Sequence, residues 1–202
     1  GNIMTARSFM DTYHPEILKY LMLSAHYRSV SDLSETTIEH SVKGLARIYS
    51  ALSVAESFLT AGTADLDPNF KKITDEAWSG IELAMNDDFN TPECMARIFE
   101  VVRQLNTQVK RGMKSNPALI GKSLAFKNFI LRIGKLMSLF EEQPDQFLRN
   151  LDDMLLKSLG LERQNIDALV AERFAARTAK DFKKSDELRL KLTELGISVS
   201  DT

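Results

Sequence analysis

Residues 86–106 read NDDFNTPECMARIFEVVRQLN, and the order of residue types in that stretch decides the fold class. Four short polar side chains open it, Asn86, Asp87, Asp88 and Asn90, each able to bond nearby backbone and turn the chain. Thr91 is expected as an N-cap and Pro92 as the first helical residue, where a missing N–H is no loss. Glu93 adds a carboxylate at the positive end of the helix dipole. Behind them Met95, Ile98, Phe99, Val102 and Leu105 recur at helical spacing as one apolar stripe. The stretch therefore predicts a turn feeding an amphipathic helix, with helical neighbours on both sides.

Upstream, Thr5 can cap a short helix running to about Asp11, and Pro15 suits the first position of the next, which should end near His26-Tyr27-Arg28. Ser34 is the expected cap of a third helix with Ile38, Val42, Leu45, Ile48, Tyr49 and Leu52 along one face. Thr37 rather than Glu stands three residues on, so no capping box is expected there. A fourth helix starting near Pro68 delivers the chain to the central turn. Downstream, Leu119 to Phe140 reads as one helix, or as two interrupted near Gly121, followed by a break at Glu141–Pro144 and a short helix around Phe147–Leu155. Asn165 is the expected cap of a helix to about Ala179, and Phe182–Leu195 reads as its hairpin partner, closed by Gly196. Ile197 and Val199 alternate as in a strand, but no pattern of comparable strength occurs elsewhere. The expectation is all-α, a helical bundle followed by a small C-terminal helical hairpin, with segments 1–60, 61–160 and 161–202.

Composition narrows the function classes. Nine glycines and five prolines in 202 residues favour long helices over turn-rich sheets. A net charge of −2 exerts no global pull on nucleic acid, so any anion-binding surface must be local. The lone cysteine, Cys94, excludes an internal disulfide and a Cys-rich zinc site. It falls in the first turn of a helix, where the dipole can lower a thiol pKa, although a small buried hydrophobe is the commoner role. No phosphate-binding glycine loop, GxSxG elbow or His-Glu-x-x-His occurs. His14, His26 and His40 fall on separate elements without metal-ligand spacing, and Asp87-Asp88 reads as turn chemistry before it reads as a catalytic pair. No run approaches the roughly 18 apolar residues of a membrane span, so a cytoplasmic, membrane-free protein is expected.

Local charge says more. From Arg103 to Lys135 there are eight basic residues and no acidic one, whereas Asp75–Glu100 is dominated by acids. In the last hairpin Arg173, Arg177, Lys180 and Lys184 fall at i, i+4, i+7 and i+11, one face of a helix if it runs unbroken, with Lys183 and Arg189 nearby. Such stripes suit phosphate contact, because each neutralised phosphate releases counterions; a solvated helix face is the alternative. His26-Tyr27-Arg28-Ser29 joins an aromatic, a cation and a hydroxyl, able to touch both base and phosphate, or to cap a helix.

Three stretches in this order, YHPEILKYLMLSAHYRS (13–29), DDFNTPE (87–93) and IDALVAERFAARTAKDFKKSDELRLKLTELGI (166–197), resemble the C-terminal half of cysteinyl-tRNA synthetase. Gly1-Asn2 is similar to the end of that family's Lys-Met-Ser-Lys-Ser-Leu-Gly-Asn loop, so the chain is expected to be part of a longer protein. The resemblance implies a class I synthetase that makes cysteinyl-adenylate from cysteine and ATP and then esterifies tRNA. ATP and the family's zinc are expected in a preceding catalytic domain, with none bound here and no catalytic residue in this stretch. It further implies a DALR-class, anticodon-binding-type bundle and a small anticodon-binding region around Ala168, Leu169, Arg173 and Arg177. On that basis Arg28, Arg173, Arg177, Lys180, Lys183, Lys184 and Arg189 are the expected tRNA contacts, with His26 and Tyr27 near the hinge to the catalytic domain. The expected partners are tRNA(Cys) and the protein's own catalytic domain, in a monomer. Two alternatives remain: the homologous cysteine:amino-sugar ligase, against which the basic hairpin argues, and a protein-docking bundle without ligase function.

Overall fold

A computed structural model describes residues 5–30 and 32–197. Its described residues contain nine helices and no strand, an all-α protein as the periodicity implied. The helices are α1 (Ala6–Met10), α2 (Pro15–Ser24), α3 (Glu35–Leu59), α4 (Pro68–Asn86), α5 (Thr91–Gln108), α6 (Pro117–Met137), α7 (Pro144–Ser158), α8 (Arg163–Thr178) and α9 (Phe182–Glu194). They fall into two compact units, Gly1–Leu151 and Asp152–Thr202. Ile197 carries no regular secondary structure, and Val199, its partner in the strand-like alternation, lies outside the described residues.

In the first unit α3 packs on α2 and α6, while α4 packs on α5 and α6. Ile17, Leu45, Ile48, Ile81, Ile98, Leu105, Phe126 and Ile130 are fully buried where these faces meet. Each contributes on the order of 1.5–3 kcal/mol relative to an exposed position, which is what holds the bundle together. α2 ends at Ser24, a turn earlier than its sequence suggested, leaving His26–Arg28 in a turn. α6 runs unbroken through Gly121, and the glycine stands where the helix passes close to the loop before α4. A Cβ there would stand 2.4 Å from the Asp65 carbonyl oxygen and 2.8 Å from the Asp67 nitrogen.

Helix starts follow side-chain acceptors, with three departures from expectation. Asn90, not Thr91, caps α5, its Oδ1 accepting from the Glu93 N–H at 3.3 Å. Thr37 completes a capping box after all: its hydroxyl accepts from the Ser34 N–H at 3.0 Å while Ser34 Oγ accepts from Thr37 N–H. A hydroxyl can thus fill the position usually given to Glu or Gln. α8 starts at Arg163 with Glu162 at the N-cap position making no side-chain cap bond, three residues ahead of the expected cap Asn165. Asn90→Ala is expected to cost about 1 kcal/mol and Thr91→Ala less. Thermal unfolding of the two variants checks the order, and the reverse order would return the cap to Thr91.

Among the described residues of the first unit, one carboxyl side chain is buried. Glu16 in the first turn of α2 is buried, and its carboxylate accepts from Tyr49 Oη at 3.0 and 3.1 Å and from the Phe140 N–H at 2.8 Å. Ser138 and Phe140 both adopt left-handed φ, the reversal after α6 that aims the Phe140 N–H inward. Tyr49 stacks on Phe147 at 3.8 Å, and His14 sets its ring edge-on to the same phenyl while meeting Glu142 at 2.8 Å. One carboxylate therefore ties together α2, α3 and the α6–α7 connection.

The second unit is built on Leu156, Ile166 and Leu192, with Leu161, Leu169, Leu195 and Ile197 packed around them. α8 and α9 form its hairpin. Lys180 turns the chain with φ 59°, Asp181 N–H returns to Ala176 O at 2.9 Å, and Asp181 Oδ1 caps α9 through the Lys184 N–H at 3.1 Å. Gly196 ends α9 with φ 80°.

Candidate nucleic-acid interface

The break at Lys180 decides how the basic stripe is displayed. Because the helix does not run unbroken, Arg173, Arg177, Lys180 and Lys184 do not share one face. Arg173 belongs to the buried face of α8 with Ile166 and Ala176, only 7% exposed. Arg177 is exposed in the last turn of α8, Lys180 is exposed at the turn, and Lys183, Lys184 and Arg189 are exposed on α9. Lys184 Nζ lies 2.8 Å from Glu172, and that carboxylate holds the ammonium pKa above its usual value. Between Glu172 and Lys191 stand seven basic side chains against four acidic ones, so the hairpin is locally positive in a chain whose total is slightly negative.

Two aromatic side chains of the hairpin are exposed as well. Phe174 is 73% exposed and lies three residues before Arg177 on α8, and Phe182 is 65% exposed and lies seven before Arg189 on α9, spacings that share one side of a helix. An exposed ring among cations is the pairing that single-stranded nucleic acid uses, phosphate on the charge and base on the ring. The signal was present in the periodicity: Phe174 falls off the apolar stripe of Ile166, Leu169, Arg173 and Ala176.

In the first unit the eight basic residues from Arg103 to Lys135 are divided. Arg103 pairs with Glu100 at 2.6 Å, Lys127 with Glu56 at 2.8 Å, and Arg111 donates to Ser53 Oγ at 3.0 Å. Arg132 lies with its Cζ 3.6 Å from the centroid of the Trp78 ring and meets Glu82 at 3.6 Å. Several charges of the block are thus paired with other side chains of the first unit at its surface.

His26, Tyr27 and Arg28, by contrast, converge on one carboxylate in the central turn. Tyr27 Oη donates to Asp88 Oδ1 at 2.7 Å, Arg28 Nε donates to Tyr27 Oη at 2.9 Å, and Arg28 Nη2 lies 3.2 Å from the same Asp88 oxygen. His26 stacks on Tyr27 at 5.0 Å with Nε2 3.9 Å from Asp88. The hydrogen bond to Asp88 raises the Tyr27 pKa, so its proton stays on the phenol. Local sequence makes Asp88 turn chemistry sooner than half of a catalytic pair; its partner Tyr27 lies 61 residues away, which no local pattern discloses.

Other candidate chemistry recedes. Cys94 is fully buried, its thiol 3.9 Å from the Ile81 carbonyl, and burial pushes its pKa up, the opposite of an activated nucleophile. Among the described residues no group of three or more His, Cys, Asp or Glu side chains is placed to hold a metal ion. No described helix is long and apolar enough to cross a membrane.

The described residues thus form a helical bundle followed by a helical hairpin with exposed cations and exposed rings. Comparison with known proteins places this architecture in a family. Residues 81–141 match the DALR domain, and residues 163–202 match the cysteinyl-tRNA ligase anticodon binding domain. The whole chain is 59% identical to a cysteine–tRNA ligase of Bdellovibrio bacteriovorus, covering 42% of that protein. It is 34% identical to one from Geotalea daltonii and 32% identical to one from Geobacter sulfurreducens, covering 43% and 42% of them. The chain belongs to the cysteinyl-tRNA synthetase family, and its match is to the C-terminal part of those enzymes. It spans under half the length of the curated relatives it matches.

Proposed function

We propose that this chain is the tRNA-holding part of an ATP-dependent cysteine–tRNA ligase, cytoplasmic and monomeric, acting on tRNA(Cys). The observation that carries the reading is the α8–α9 hairpin, where exposed Arg177, Lys180, Lys183 and Arg189 accompany exposed Phe174 and Phe182 in a stretch matching an anticodon-binding domain. The cations take backbone phosphates, and the rings take unstacked bases of the anticodon loop. The bundle of the first unit holds the 26–28 turn, and with the tRNA so held the acceptor end is directed to the catalytic domain. Adenylate formation with ATP, and any zinc-assisted selection of cysteine, belong to that domain. The present chain alone is expected to form no cysteinyl-adenylate, which pyrophosphate exchange with cysteine and ATP would measure.

The test is binding of this chain to a cysteine-tRNA transcript, and to one with an altered anticodon, over a range of salt. Affinity is expected to fall with salt by a slope of about 0.7–0.9 per neutralised phosphate. Lys180→Ala with Lys183→Ala should lower that slope by about 1.5 and weaken both transcripts alike. Phe182→Ala should weaken binding by about 1–3 kcal/mol with the slope unchanged. Absence of salt-dependent binding to either transcript would refute an RNA-holding role for this chain.

A further inference from the structure

The turn after α2 contains more than an exposed arginine. Arg28 is held at one edge of its guanidinium: Nε donates to Tyr27 Oη, and Nη2, on the same edge, meets Asp88. Tyr27 is itself fixed to Asp88 by its hydroxyl and backed by the stacked His26 ring, while the guanidinium carbon lies 5.4 Å from the Tyr27 centroid. The opposite edge, formed by Nη1 and the second N–H of Nη2, is turned away from Asp88 and Tyr27, and the side chain is 68% exposed. A planar fork of two parallel N–H groups is the shape that takes two oxygens of one phosphate.

Asp88 reaches this position through its backbone. It and Phe89 are successive residues with left-handed φ, 56° and 54°, where α4 gives way to α5, and Asp is among the side chains that tolerate that region. The carboxylate so placed subtracts from the positive charge of the turn. If the turn attracted RNA by charge alone, Asp88 would oppose it; what it supplies is orientation, since an arginine already held in one pose loses less freedom on binding.

We propose that Asp88 and Tyr27 are positioning residues that hold Arg28 by one edge so that its free fork binds a backbone phosphate of the RNA. This rests on the reading of the chain as a tRNA-holding module and adds a second, separate phosphate contact in the first unit. It yields an inverted sign: removing an acid from an RNA-binding surface ordinarily tightens binding, whereas removing Asp88 weakens it.

The experiment measures binding of the 202-residue chain to the cysteine-tRNA transcript across salt, for the wild type and for Arg28→Met, Asp88→Gly, Asp88→Asn, Tyr27→Phe and Asp87→Asn. Glycine and asparagine keep the left-handed backbone at position 88, and Tyr27→Phe removes a single surface oxygen, so the variants test contact rather than folding; thermal unfolding checks this. Arg28→Met is expected to weaken binding about fivefold and lower the salt slope by about 0.7–0.9, the equivalent of one phosphate. Asp88→Gly should weaken it comparably and add nothing to Arg28→Met. Asp88→Asn and Tyr27→Phe should fall between, and Asp87→Asn, the same charge change one residue away, should weaken nothing. Binding by Asp88→Gly equal to or tighter than wild type, or a loss additive with Arg28→Met, would overturn the proposal while leaving the RNA-holding role standing. No salt-dependent binding by the wild type would overturn that role, and this inference with it.

Discussion

Glu16→Ala is expected to be the most damaging single change in the first unit, lowering stability by about 3–5 kcal/mol and the unfolding temperature by about 10 °C. The substitution removes the acceptor from two buried donors at once, the Tyr49 hydroxyl and the Phe140 N–H. Each stranded donor costs about 1–3 kcal/mol, and the empty volume adds to that. Glu16→Gln keeps an acceptor oxygen and should lose much less. The charge itself has a pH signature. Burial raises the Glu16 pKa against the opposing effects of the Phe140 N–H, the Tyr49 hydroxyl and nearby His14, with Glu142 also raising it. The folded chain thus holds this proton more tightly than the unfolded chain does. The associated stability is fully present below the ordinary value of 4.5 and declines as pH rises through the higher folded value. Measured at about pH 4 and about pH 7, the unfolding temperature of wild type minus Glu16→Gln should therefore be larger at the lower pH. A difference independent of pH would mean that the carboxyl is not perturbed.

Gly121→Ala is the second large effect, about 2–3 kcal/mol of destabilisation. Alanine ordinarily favours a helix over glycine by roughly 0.5–1 kcal/mol, so the sign here is set by packing. The added carbon would meet backbone atoms of Asp65 and Asp67 at 2.4 and 2.8 Å, and backbone cannot swing aside as a side-chain tip can. Displacing Asp67 also disturbs the cap of α4, since its Oδ1 accepts from the Phe70 N–H at 2.8 Å. Gly80→Ala is the matched control: its nearest neighbour would be the flexible Arg97 side chain at 3.2 Å. Gly80→Ala should keep or raise the unfolding temperature while Gly121→Ala lowers it. Equal behaviour would show that the loop before α4 yields freely.

The course of the helices was legible because their apolar positions recur at helical spacing and their starts carry Thr5, Pro15, Ser34, Pro68 and Pro92. Where two acceptors stand side by side, as Asn90 and Thr91 do, local chemistry does not choose between them; the backbone leaving α4 does. The capping box at Thr37 runs against the expectation from its residue type because its hydroxyl does what a longer side chain usually does. Arg173 was placed with the contact residues by its charge, yet its position in the stripe with Ile166, Leu169 and Ala176 already placed it on the packed face. The stripe through Lys184 failed where the chain turns at Lys180. Glu16 and Asp88 were not readable in this way, because each is defined by partners far along the chain: Phe140 is 124 residues from Glu16, and Tyr27 is 61 from Asp88.

The stacking of Arg132 on Trp78 has an optical consequence. Trp78 is the only tryptophan in the chain, with its indole N–H 2.5 Å from Glu82 and a guanidinium against its face. Its emission therefore reports whether α4 and α6 remain together, and it is blind to the hairpin unit, which contains no indole. Far-ultraviolet circular dichroism records the helices of both units. Followed together during unfolding, the two signals separate loss of the bundle from loss of the hairpin, so the protein carries its own domain-resolved probe without a label.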